Sequence, residues 1–139
     1  MKKLKKLTII TICLMMVLAA FPSLKADAAI TKNGVYSGCF ATSGSGWIKV
    51  TISGSKLTMK GRPFYAKSEA AMDDDDYIIM KSAKRVFKLN KNTKYYNKNN
   101  KRIKLATVKK YVKKNNGKSI RHGLQVTIKK KKVVAVRIW

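Results

Sequence analysis

The side chains of this sequence that do covalent chemistry are few and scattered. His122 is the sole histidine, and the two cysteines are Cys13 and Cys39. A Cys39–His122 pair has the composition of a thiol peptidase or transpeptidase. Glu69 with His122, amid basic residues, has that of a small secreted ribonuclease, a base and an acid flanking a phosphate. Context supports neither. Cys39 lies in a strand-like run, not at a helix N-terminus where the dipole favours the thiolate, and no Asp or Glu stands near His122 to orient it. Both residues have plainer readings: Cys39 as a strand residue pointing into the core, and His122 as a turn residue beside Gly123. No catalytic residue is assigned, and the chain reads as non-enzymatic. Asp73–Asp76 invites a calcium reading, but calcium loops alternate their oxygen ligands around a turn glycine, and four consecutive carboxylates diverge. A solvated loop is expected there, with no metal site and no cofactor. One histidine and two cysteines also exclude zinc-finger arrays and disulfide frameworks.

Non-covalent chemistry is better represented. The 139 residues hold 32 Lys+Arg against 6 Asp+Glu, a net charge of +26. Two lysine clusters stand out: Lys109, Lys110, Lys113 and Lys114 within Thr107–Asn115, and Lys129, Lys130, Lys131 and Lys132 between two apolar alternations. If both pack on one sheet face, eight ammonium groups line a single surface. Lysine predominates over arginine, and its hydrated point charge suits loose attraction to a polyanion better than the forked recognition of bases. The expected partners are therefore anionic polymers of a cell envelope or matrix: teichoic acid, acidic glycan or nucleic acid bound without sequence recognition. A loop of aspartates lying over that surface would compete with such a polymer. The aromatics give the alternative, a carbohydrate- or peptidoglycan-binding module. Trp47 and Trp139 fall opposite the apolar faces of their strands, and exposed rings stack on sugars.

The elements that position these residues begin with an address. Lys2, Lys3, Lys5 and Lys6 precede a 15-residue apolar run, Leu7–Phe21, too short to span a bilayer comfortably. Pro22 ends it, and Ala26-Asp27-Ala28 offers small residues at both positions that signal peptidase reads. Residues 1–28 are read as a cleavable signal peptide and 29–139 as one β-rich extracellular domain, with no membrane span after cleavage and any wall attachment non-covalent. Processing removes Cys13, so the single remaining thiol forms no internal disulfide. It also removes five lysines and Asp27, leaving 27 basic and 5 acidic residues, net +22. All five acids then fall within Glu69–Asp76.

Within the domain, apolar residues alternate with period 2 in Val35–Ala41, Trp47–Ser53, Lys56–Lys60, Leu124–Ile128 and Val134–Ile138. Ser53-Gly54-Ser55 and Lys129–Lys132 are read as hairpin turns, with Val134, Val136 and Ile138 facing inward after the second. Tyr77–Met80 and Arg85–Leu89 are read as a further hairpin across Lys81–Lys84. Thr107–Asn115 alone has helical spacing, with Val108, Tyr111 and Val112 on one stripe, Thr107 as N-cap and Gly117 past the C-terminus. The fold expected is mostly β: a single antiparallel β-barrel or sandwich-like domain with one short amphipathic helix. The stretch from Asn92-Thr93-Lys94-Tyr95-Tyr96 through that helix to the closing hairpin resembles the C-terminal half of small exported β-rich proteins of Gram-positive bacteria. The resemblance implies export and a β-rich fold, and it brings no activity and no functional residue.

Overall fold

The computed structural model describes residues 31–118 and 120–139, and the signal-peptide reading of residues 1–28 lies outside them. Each period-2 run noted above forms strand over most of its length, the first ending at Cys39 and the second starting at Ile48. In chain order these are β1 (Gly34–Cys39), β2 (Ile48–Ser53), β3 (Lys56–Gly61), β4 (Phe64–Ala66), β5 (Ile78–Ile79), β6 (Ala83–Lys88), β7 (Lys94–Tyr96), β8 (Arg102–Ile103), β9 (Gly123–Lys129) and β10 (Lys132–Ile138). Two helices join them, α1 (Glu69–Asp73) and α2 (Leu105–Asn115). The strands form two sheets, not a closed barrel. One has seven strands in the order β5-β4-β1-β9-β10-β7-β8, the other three in the order β2-β3-β6. All pairs are antiparallel except β7 with β10, which run parallel. The domain is thus mostly β and sandwich-like, with one mixed sheet.

Register explains the core. Side chains on paired strand residues share a face. One row across the large sheet reads Tyr65, Tyr36, Val126, Val136, Tyr95 and Ile103. These pack with Ile48, Val50, Leu57, Met59 and Phe87 of the small sheet, and with Val108 and Val112 of α2. Tyr36 is fully buried and sits edge-on to both Tyr65 and Phe87. Its phenol is bonded to the Lys32 main chain, accepting from the N–H at 2.8 Å.

Five details differ from the sequence reading. Tyr77–Met80 and Arg85–Leu89 are not a hairpin: β5 pairs with β4 in the large sheet, and β6 with β3 in the small one. The chain crosses between the sheets over Met80–Ser82, and the Arg85 guanidinium donates to the Lys81 carbonyl there at 3.0 Å. A polar linker of that length looks the same in sequence whether it turns back or crosses over. In β10, a bulge between Val133 and Ala135 shifts the alternation, so Val133 is buried with Val136 and Ile138, while Val134 is half-buried. Helix α2 starts two residues early, at Leu105, because Leu105 extends the apolar stripe and packs on the core. Its N-cap is Lys104 with no side-chain bond, so Thr107 lies inside the helix. Residues 69–73 form helix where a loop was expected, capped by Ser68, whose hydroxyl accepts from Ala71 N–H at 3.1 Å. Cys39 is strand, as read, but half-buried and on the face opposite its core-facing neighbour Phe40.

Candidate functional site

The lysines of the closing hairpin are held by a small scaffold of amides and hydroxyls. Residues Asn90–Thr93 fold on themselves: Asn90 N–H donates to Thr93 Oγ1 at 3.0 Å, and Asn92 N–H to Asn90 Oδ1 at 2.8 Å. Thr93 Oγ1 and Asn90 Nδ2 then both donate to the carbonyl of Val133, at 2.9 and 3.3 Å. That fastens the loop after β6 to the start of β10, where the bulge lies. The hairpin tip is fastened separately, by Lys131 N–H to Asn33 Oδ1 at 2.7 Å. The result is a hollow of about 350 Å³ lined by Lys88, Lys91, Lys131 and Lys132, with Leu89, Asn90 and Asn92. Among the described residues no carboxylate lines it. Lys129 and Lys130 are exposed beside it on the same tip.

Two of these cations do not stand out in the sequence. Lys88 and Lys91 lie some forty positions from the hairpin tip; β6 carries Lys88 there and the Asn90–Thr93 turn carries Lys91. The signal available was Asn90 with Thr93, an amide and a hydroxyl at turn spacing.

The helix lysines are positioned by α2 against β2. Asn116, just past the helix, accepts from Val50 N–H at 3.0 Å and donates its amide to the Val50 carbonyl at 2.5 Å. Asn116 thus takes the place of a missing neighbour at the outer edge of β2. Lys109 and Lys113 line a hollow of about 280 Å³ with Val50, Thr51, Ile52 and Asn116. Lys110 and Lys114 point to solvent. The two lysine clusters line separate hollows. Tyr111 of α2 bonds at the Trp139 end of β10, whereas Lys129–Lys132 lies at the other end of the same hairpin. Six strand steps at ~3.3 Å put those ends roughly 20 Å apart.

The remaining candidates are dispersed. Cys39 pairs with Gly123, but its side chain faces away from Phe40, while the His122 ring stands beside Phe40's neighbour Tyr111. Cys39 and His122 therefore lie on opposite sides of the sheet, and burial raises the Cys39 thiol pKa, which disfavours the thiolate. Glu69 accepts from Thr127 Oγ1 at 3.0 Å, four residues along β9 from the His122 end. Tyr111 O–H bonds to the Trp139 main-chain oxygen, and its oxygen lies 2.9 Å from His122 Nδ1. These three residues, with Asn97, Lys98, Asn99 and Ile138, line an open cleft of about 290 Å³. Asp73–Asp76 are all exposed at the β5 end, where Asp76 shares a hollow with Lys32 and Lys67 that none of the lysines of the two clusters lines. Among the described residues no three His, Cys, Asp or Glu side chains gather as a metal site.

No family model, curated protein or solved structure matches this chain. Function is therefore read from the surface itself.

Proposed function

We propose that this is an exported, non-catalytic domain that holds anionic polymers of an envelope or matrix through its lysine patches, without reading their sequence. One observation carries the reading. Four lysines from two separate segments are gathered around a single hollow with amides and no carboxylate among the described residues. Bringing like charges together opposes folding, so a site built this way suits a counter-ion that offsets the repulsion. The separate α2 hollow adds to this, since a linear polymer engages two sites at once and a small anion does not.

The test is binding of teichoic acid, duplex DNA and a neutral glycan across a salt series, using protein purified after export by a bacterial host. Affinity for both charged polymers is expected to fall steeply with log salt. Changing Lys88, Lys91, Lys131 and Lys132 to Gln is expected to flatten the DNA slope by about 0.9 for each phosphate the protein ceases to neutralise. Absence of binding at low salt, or a slope indifferent to those changes, would overturn the proposal.

A second reading rests on the Trp139 cleft. Half-buried Trp139 beside Tyr111, Asn97 and Asn99 offers a ring and amides to a neutral sugar. Such binding would be nearly salt-blind and would vanish in Trp139→Ala.

A further inference from the structure

The large sheet ends in two free edges of opposite charge. At one end is β5, with Ile78 and Ile79 58% and 46% exposed, separated by Tyr77 from Asp73–Asp76. At the other is β8, within Lys101-Arg102-Ile103-Lys104, where both lysines and Arg102 are exposed. An exposed apolar strand at a sheet edge is a template for another strand unless it is covered.

We propose that a second copy of this chain covers it, β5 of one molecule pairing with β8 of the next, so that the sheet continues head to tail. Three features make the fit specific. Direction is the first: of the six pairings between β5 and β8, five are antiparallel and one parallel, so the two edges run oppositely. A copy added without inversion therefore makes an antiparallel pair, the commoner and slightly more stable kind. Facing is the second. Ile78 shares a row with Tyr65, Tyr36, Val126, Val136, Tyr95 and Ile103, so extension sets the Ile78 row of one copy against the Ile103 row of the next. Charge is the third: with Ile78 opposite Ile103 in an antiparallel pair, Asp76 falls beside Lys104, a local attraction between molecules otherwise strongly positive. The edges differ from each other, so the contact is heterologous and does not close on two subunits. This inference does not rest on the polyanion reading.

Sedimentation velocity of exported protein, stripped of polyanions in 1 M salt and returned to ~0.15 M, tests it. There the long-range repulsion is screened beyond about 8 Å. The weight-average sedimentation coefficient is expected to rise continuously with concentration. Asp76→Lys makes the contact basic on both edges, and Lys104→Glu makes it acidic on both. Each variant alone is expected to remain monomeric, and an equimolar mixture to assemble, because each edge then meets its opposite. A wild type that stays monomeric at every concentration or stops at a dimer overturns the proposal. So does either variant assembling alone, or a mixture that fails to assemble.

Discussion

Removing the Asn116 side chain tests the idea that an amide substitutes for a strand along β2. Val50 is 1% exposed, and both its outward main-chain groups end on Asn116. Asn116→Ala leaves one N–H and one C=O without partners. An orphaned buried group costs about 1–3 kcal/mol. Asn116 itself is half-buried, so water reaches the edge in part and the low end applies to each group, giving about 2–3 kcal/mol together. At ~4 °C per kcal/mol for a domain slightly over 100 residues, the melting midpoint should fall by roughly 10 °C. Asn116→Asp keeps the acceptor for Val50 N–H but turns a second oxygen toward the Val50 carbonyl, so it should be no milder than alanine. Lys114→Ala, on the solvent side of the same helix, should move stability by less than ~0.5 kcal/mol. Urea unfolding monitored by tryptophan fluorescence reads all three. A loss below ~0.5 kcal/mol in Asn116→Ala would refute the reasoning. It would show that the apolar stripe of α2 holds it without the amide.

Three further outcomes follow from the same structure. Lys130 and Lys131 both have positive φ, 51° and 63°, in a two-residue turn. The pair Lys130→Asn with Lys131→Gly, which suits such turns, should stabilise the domain by about 1–2 kcal/mol in thermal unfolding. The Cys39 thiol, its pKa raised by burial, should react slowly with a thiol probe near neutrality and faster as pH climbs past its usual value of 9.0, with rates following the thiolate fraction. Burial likewise raises the phenols of Tyr36, Tyr95 and Tyr111 above the ordinary 10.0. The folded chain then holds those protons more tightly than the unfolded one. Their contribution is complete below pH ~10 and lost as pH rises through the folded values, so urea midpoints should fall on the alkaline side.

Where side chains met backbone periodicity, the fold was legible. Ile48, Val50 and Ile52 before Gly54, and Leu124, Val126 and Ile128 before the lysine tip, determined two hairpins and the inward faces of three strands. Pairings between distant strands were not legible, because β5 and β6 have the same alternation whether they pair with each other or with β4 and β3. The β10 bulge was hidden for a similar reason: Val133 and Val134 are equally apolar, and only packing selects Val133 for the core. As for the site, the hairpin and helix lysines were visible as clusters, but their neighbours were not. Lys88 is carried to the tip by β6, and Lys91 by the turn that Asn90 and Thr93 fasten to Val133, forty residues away.

The two tight hairpins of this domain make an informative pair. Between β2 and β3 the turn uses Gly54 at φ 56°, the residue that adopts that conformation without strain. Between β9 and β10 the same kind of tight reversal uses two lysines in the left-handed region, which costs each of them about 1–2 kcal/mol. The tip is also the place where added positive charge is least favourable, since Lys129 and Lys132 flank it and Lys88 and Lys91 approach from β6 and the loop after it. Local conformation and local electrostatics both argue for asparagine and glycine there, and Lys131 N–H must be held by Asn33 to keep the turn in place. Departures from local preference of this sort gather where a surface serves something other than stability. The strain lies with the charge, at the hairpin tip and not at the Gly54 turn, and under the proposed function that is where a polyanion first makes contact.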